Sequence, residues 1–260
     1  MPTQPQGPKY KSLYVLPNLL TTASLFVGFL GMLWSIQSKF ELAALAILIS
    51  CFFDGIDGKV ARLTRASSEF GIQYDSLADL VAFGVGPALL IYLWHTHVFG
   101  RIGIMVSFLF LACGALRLAR FNLKAKTSSK KFFLGLPIPA AACTLATFVL
   151  FSTYLKDVSG LWMARISLGL TFLLALTMVS NIKYASFKDV EMARAHPFTS
   201  TMLVIFLFAL IASEPKFLGF IFFLLYVLSG YTYSLWRLCL PKTNLREFPG
   251  NSRKNKILSK

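Results

Sequence analysis

The sequence predicts an all-α protein that crosses a membrane several times. Three observations predict it. Hydrophobic residues make up 56% of the 260-residue chain and charged residues only 14%, against about 25% charged in a soluble domain. The mean hydropathy is +0.64. The apolar residues gather into long runs, and no strand-like alternation competes over any long window.

A helix needs about 20 apolar residues to cross the hydrocarbon core. Eight segments approach that length, at approximately 16–37, 41–62, 73–95, 101–120, 135–155, 162–182, 198–213 and 216–237. The seventh is the shortest. Residues 1–15 are polar and Pro-rich, with Lys9 and Lys11. They read as a cytoplasmic segment, because the apolar run behind them is too long for the core of a signal peptide. Residues 16–237 are expected to form the membrane-embedded domain, and 238–260 a basic cytoplasmic tail.

The net charge is +15, from 26 Lys and Arg against 11 Asp and Glu. Such a balance often marks nucleic-acid binding. Here the cations sit between apolar spans, so they read as topology signals and no nucleic-acid partner is expected. With the N-terminus in the cytoplasm, 21 of them fall inside and 5 outside. That asymmetry predicts eight spans with both termini cytoplasmic. It also predicts contact with membrane lipids of anionic headgroup. The four cysteines lack metal-ligand spacing and read as small buried hydrophobes. His95 and His97 flank Thr96 in an outside loop and read as inert.

The stretch from Asp54 to Asp79, DGIDGKVARLTRASSEFGIQYDSLAD, holds four of the six aspartates. Asp54 and Asp57 are three apart, and Asp75 and Asp79 four apart, so each pair shares one helix face. Spans two and three are antiparallel neighbours across a short turn, which lets all four carboxylates meet at one depth. Four anions near lipid require a cation. Hard divalent ions take oxygen ligands, and two of them can clamp a phosphoryl centre. Gly58, Ala61, Gly71, Ala78 and Ala82 are small and leave room for close helix approach or a ligand. Arg62 stands one turn beyond Gly58, where a guanidinium can meet phosphate.

The spacing Asp54-x2-Asp57-Gly58-x2-Ala61-Arg62-x8-Gly71-x3-Asp75-x3-Asp79 resembles the signature of the CDP-alcohol phosphotransferase family at every fixed position. PNLLTTASLFVGFLGM, DSLADLVAFGVGPALL, GALRLARFN and FLGLPIPAAA are similar to its membrane-bound, phosphatidylserine-forming branch, and VSNIKYASFK more loosely so. The resemblance implies the CDP-alcohol phosphotransferase fold and transfer of a phosphatidyl group from CDP-diacylglycerol to the hydroxyl of L-serine, with CMP released. It implies that Asp54, Asp57, Asp75 and Asp79 hold two divalent cations, Mg²⁺ or Mn²⁺. By the same resemblance Gly58, Ala61 and Arg62 line the CDP pocket, Asp79 is the general base, and the protein is a homodimer with its site at the cytoplasmic face. The chemistry is consistent with direct displacement: a serine hydroxyl attacks only once its proton is taken, and a diphosphate accepts attack only once its charge is neutralised.

The acceptor is read from fewer residues. Serine carries a carboxylate, and arginine forks suit a carboxylate or a lipid phosphate. Arg117 and Arg120, with Asn122 after them, are the candidates, followed by Asn181 and Lys183. The plain alternative makes the arginines ordinary anchors at a cytoplasmic helix end. Glycerol 3-phosphate, inositol phosphate or choline as acceptor, or an archaeal lipid as donor, stays open. A cation-coupled transporter is the alternative from another class, because buried acids also mark ion paths.

Overall fold

The computed structural model describes residues 15–63, 68–125, 132–155, 159–185 and 213–239. Among them the architecture is a bundle of helices with one short ribbon. The first two helices are α1 (Val15–Ile36) and α2 (Phe40–Leu63). The third span is a single rod in three parts: α3 (Glu69–Asp79), a π-helical turn (Leu80–Val85) and α4 (Gly86–Trp94). A 3-10 turn (Thr96–Phe99) leads to α5 (Arg101–Ala125) and then to strand β1 (Phe132–Leu134). After it come α6 (Ile138–Phe151), α7 (Gly160–Val179), strand β2 (Lys183–Ala185) and α8 (Pro215–Cys239).

Among the described residues, five stretches are long and apolar enough to cross a membrane: Leu16–Ile36, Glu69–Trp94, Arg101–Leu123, Gly160–Val179 and Pro215–Ser234. The chain is therefore a multi-pass integral membrane protein. Helix α2 has 24 residues, but Glu41, Asp54, Asp57 and Lys59 dilute its apolar character. Helix α6 is short. It makes up for this by burial: every residue from Ala141 to Leu150 is buried, as expected of a helix apolar on all sides. The predicted seventh span, 198–213, lies outside the described residues except for its last residue, as do most of 1–15 and most of 238–260.

Boundaries moved where local chemistry intervenes. The third span starts at Glu69 rather than 73, because Ser68 caps it by accepting from Gly71 N at 2.9 Å. The fifth starts at Ile138 rather than 135, because Gly135 has φ +80° and Pro137 is extended. The β1–β2 ribbon was not anticipated. It pairs Phe132 with Ala185, Phe133 with Tyr184 and Leu134 with Lys183, antiparallel. Three-residue strands fall below any window in which alternation can be read.

Small residues set the closest helix contacts, as lipid-embedded bundles require. A Cβ on Gly31 would stand 3.1 Å from Ala46 Cβ, and one on Gly28 2.8 Å from Ala82 Cβ. One turn before Gly28, Ser24 exchanges hydroxyl-to-carbonyl bonds with Ser50, each 2.9 Å long. Helix α1 is thus locked against both α2 and the π-helical turn. That turn has a sequence cause. Pro87 has no N–H for the Phe83 carbonyl, and its ring crowds that carbonyl, so the rod widens there. Gly86 N instead reaches back to Val81 O.

Candidate active site

Helices α2 and α3 run antiparallel, with the four aspartates at the bundle end that also holds the α5 and α7 C-termini and the ribbon. One carboxylate oxygen each from Asp54, Asp57 and Asp75 lies within 4.8 Å of the other two. The Asp79 carboxyl meets that of Asp54 in a side-chain hydrogen bond, so all four acids form one cluster. Asp57 is buried, at 4% exposure, while Asp54, Asp75 and Asp79 keep partial access.

Neighbouring residues orient the cluster. Thr21 of α1 donates its hydroxyl to Asp57 Oδ2 at 2.7 Å, and the Gly58 backbone bonds the same carboxylate. Thr22 and Tyr74 hydroxyls meet at 2.8 Å, tying α1 to α3 one residue before Asp75. Gly71 lies where a Cβ would be 3.3 Å from Asn18 Oδ1, so α1 and α3 approach closely at this glycine. Asn122 Nδ2 donates to Ser76 Oγ at 3.0 Å, which ties the end of α5 to the residue after Asp75.

The donor set fits hard divalent cations. It is all carboxylate oxygen, it converges within bridging distance, and one member is already oriented by a hydroxyl. Like-charged carboxyls this close are costly unless a cation or proton lies among them.

The remaining predicted residues separate into two places. Arg117 turns into the bundle and is buried, at 8% exposure. Its guanidinium lies over the Phe121 ring, 5.6 Å from the centroid, within electrostatic range of Asp79 and of Tyr226 on α8. Arg120 turns the other way. It donates to the carbonyls of Val179 (3.1 Å), Ser180 (3.2 Å) and Met178 (3.5 Å) and to Asn181 Oδ1 (3.4 Å). Arg120 and Asn181 thus come together as a clamp on the α7 C-terminus, apart from the acids. Lys183 is in β2 and Ala61 and Arg62 are in the last turn of α2; their side chains lie outside the described residues. His97 Nδ1 lies 3.2 Å from Tyr92 O, at the opposite bundle end.

Sequence reasoning missed Thr21 and Tyr226. A threonine in an apolar span carries no signal of its own, although its hydroxyl must find a partner there. Tyr226 stands in a run of aromatics that reads as lipid-facing bulk.

The profile of the CDP-alcohol phosphatidyltransferase family matches residues 14–176. The chain belongs to that family. It is similar to the CDP-diacylglycerol–serine O-phosphatidyltransferase of Helicobacter pylori strain J99, at 45% identity over 179 residues, which is 69% of this chain and 75% of that protein. It is also similar to the archaetidylserine synthase of Methanothermobacter thermautotrophicus, 40% identical over 178 residues (68% and 72%). A third relative is the CDP-diacylglycerol–serine O-phosphatidyltransferase of Bacillus subtilis strain 168, 35% identical over 173 residues (66% and 91%). Within this CDP-alcohol phosphatidyltransferase, the family match takes in all four acids, Thr21 and Arg117, and stops before β2 and α8.

Proposed function

We propose that this enzyme transfers the phosphatidyl group of CDP-diacylglycerol to the hydroxyl of L-serine, giving phosphatidylserine and CMP. The observation that carries the reading is the convergence of Asp54, Asp57, Asp75 and Asp79, at the family's spacing, in a chain whose similar relatives are named for this reaction. The archaetidylserine synthase among them supports serine as the constant partner and leaves the donor's chains as the variable.

Asp54, Asp57, Asp75 and Asp79 would hold two divalent cations, Mg²⁺ or Mn²⁺. Bound there, the cations supply charge neutralisation to the diphosphate. The chain's residues do the rest. Gly58, Ala61 and Arg62 bind the CDP moiety, with the missing side chain at Gly58 admitting the nucleotide. Asp79 takes the proton of the serine hydroxyl. The hydroxyl oxygen then bonds to the lipid-side phosphorus, and the bond from that phosphorus to the CMP oxygen breaks. Thr21 keeps Asp57 oriented throughout. Arg117 receives the acceptor's carboxylate, while Arg120 and Asn181 hold the α7 end that frames the pocket.

Eight spans, both termini in the cytoplasm, an active site at the cytoplasmic face and a homodimer complete the proposal. The lysine and arginine distribution supports the orientation. The end of α7 and the start of α8 stand at opposite bundle ends, as one further crossing between them requires. The start of α8 is tied to the start of α2 by Lys216 and Glu41 at 2.8 Å.

The test is an acceptor panel. Purified enzyme in CDP-diacylglycerol-containing micelles with Mg²⁺ or Mn²⁺ receives labelled serine, glycerol 3-phosphate, inositol phosphate or choline. CMP release and labelled lipid with serine are expected, and both are expected to vanish with EDTA and return on adding back either metal. Turnover confined to another alcohol would refute the acceptor, and metal-independent turnover would refute the role of the acids.

A further inference from the structure

The third span changes pitch just after the second of its two acids. Asp79 ends α3, and the π-helical turn Leu80–Val85 follows at once. Gly86 N bonds Val81 O, five residues back where an α-helix would reach back four. Such a turn holds one residue more than an α-turn and is frequent at functional sites. It is gripped from three sides. A Cβ on Gly28 of α1 would stand 2.8 Å from Ala82 Cβ, and one on Gly84 would stand 3.0 Å from Leu111 Cδ1 of α5 and 3.7 Å from Ile138 Cδ1 of α6. Phe83 is fully buried among them.

An α-helix turns about 100° per residue. Counted from Asp75 at that pitch, Ala78, Asp79 and Ala82 all lie within about 60° of it, so the acids and these small residues share one face. The exposed Gln73 and Leu77 lie on the opposite side. Unbroken α-helix would carry the larger buried residues of α4, Pro87, Leu90 and Ile91, to about 60–160° from Asp75. The extra residue in the turn brings them back to within about 60°. It likewise lines up the half-buried Leu89 and Tyr92 with Gln73 and Leu77. The face that α4 packs into the core is therefore the face on which α3 carries its acids.

We infer that the π-helical turn is the positioning element that aims Asp75 and Asp79 into the acid cluster, because it absorbs the one residue by which α3 and α4 would otherwise fall out of phase. The inference rests on the metal-binding reading of the four acids above. Wound as plain α-helix through the same residues, with α4 still docked in the core, the rod would swing Asp75 and Asp79 by about 100°, away from Asp54 and Asp57 on α2. Residue count sets this phase. Pro87 fixes only where the surplus residue sits, since its ring and missing N–H forbid the α-helical bond to the Phe83 carbonyl.

The experiment varies the residue count in full-length enzyme carrying Pro87→Ala, so that no proline interrupts a continuous helix. One variant in this background lacks Val85, and another has an alanine inserted between Val85 and Gly86. Two readouts are taken in detergent. The first is the rise in thermal-unfolding midpoint on adding Mn²⁺, which reports binding to the folded state. The second is CMP release as a function of Mn²⁺ concentration. Pro87→Ala alone keeps the count, and the deletion removes the surplus residue while leaving both faces in line, so both should match wild type in both readouts. The insertion adds a second surplus residue and turns the acids away. It should lose the Mn²⁺-induced rise and about a hundredfold or more of CMP release, the usual worth of a general base. A turn needed only for local packing predicts damage from the deletion as well. A deletion variant that is inactive or unfolded, a Pro87→Ala protein that loses the Mn²⁺ effect, or an insertion variant that keeps it would overturn the inference. A wild-type midpoint and rate indifferent to Mn²⁺ would instead remove the metal reading, and the inference with it.

Discussion

Thr21 donates its hydroxyl to the Asp57 carboxylate across 2.7 Å, from a helix that contributes no acid of its own to the cluster. Pro17 O, 3.1 Å away, is the other acceptor within reach of that single proton, and the shorter distance goes to the carboxylate. Groups that orient a metal-binding carboxylate commonly matter ten- to a hundredfold for metal affinity or activity. Thr21→Val keeps the volume and removes the donor. It is expected to raise the Mn²⁺ concentration for half-maximal CMP release by about tenfold, while Thr21→Ser stays near wild type. Equal metal requirements in all three proteins would show that Asp57 needs no such support.

Asp79 differs from the other acids in its surroundings. It meets Asp54 in a side-chain hydrogen bond and lies within electrostatic range of Arg117, whereas Asp54, Asp57 and Asp75 bring their oxygens within 4.8 Å of one another. Asp79→Asn is expected to lower serine-dependent CMP release by about 10²- to 10⁴-fold, the usual worth of a general base. Binding of CDP-diacylglycerol in the presence of Mn²⁺, followed by equilibrium titration, should persist. A variant that still turns over at more than a tenth of the wild-type rate would remove Asp79 as the base.

The acid cluster was legible because its signal is spacing along a helix, which survives any uncertainty about packing. Intervals of three and four residues place side chains on one face whatever lies opposite. The spans were legible for a similar reason, since lipid demands length and apolar composition. What could not be read depended on contacts distant in sequence. Arg117 and Arg120 look equivalent in LRLAR, yet Arg117 is buried while Arg120 caps α7, because α7 packs along α5 and offers its last carbonyls to Arg120. Tyr226 looks like its aromatic neighbours until Tyr184, 42 positions earlier, fixes which way α8 faces. The ribbon is too short for any periodicity, and the π-helical turn shows in the sequence only as Gly86-Pro87.

Gly230 and Tyr184 give a test of that docking. A methyl group on Gly230 would overlap the Tyr184 ring, and the ring is enclosed, so it has nowhere to move. Burial and the nearby tyrosines push the Tyr184 phenol above its ordinary range, so it remains a donor to Val227 O throughout the working pH range. Gly230→Ala is expected to destabilise the protein by about 1–3 kcal/mol, the usual cost of overpacking, seen as a lower midpoint in detergent thermal unfolding. Gly230→Ala with Tyr184→Leu should recover part of the loss, because the two sites are in contact and their effects do not add. Additive losses would show that α8 does not rest on this pair.

Gly135 makes a sharper demand, because space and backbone both act there. Its φ is +80°, a conformation that side-chain-bearing residues rarely adopt. A Cβ would run into the Met178 carbonyl oxygen and approach Arg120 Nη2 at 2.8 Å. Its own N–H donates to Ile182 O at 2.8 Å, so the residue cannot swing away without breaking the bond that joins the start of α6 to the end of α7. Arg120 depends on the same geometry, since its guanidinium reaches the carbonyls of 178–180 across this glycine. Gly135→Ala therefore combines strain, collision and loss of the clamp, and is expected to cost more than Gly230→Ala. Arg120→Lys, which keeps the charge but cannot fork, should show a smaller loss of the same kind. Thermal unfolding of the three variants side by side checks the order, and a Gly135→Ala midpoint at or above that of Arg120→Lys would contradict it.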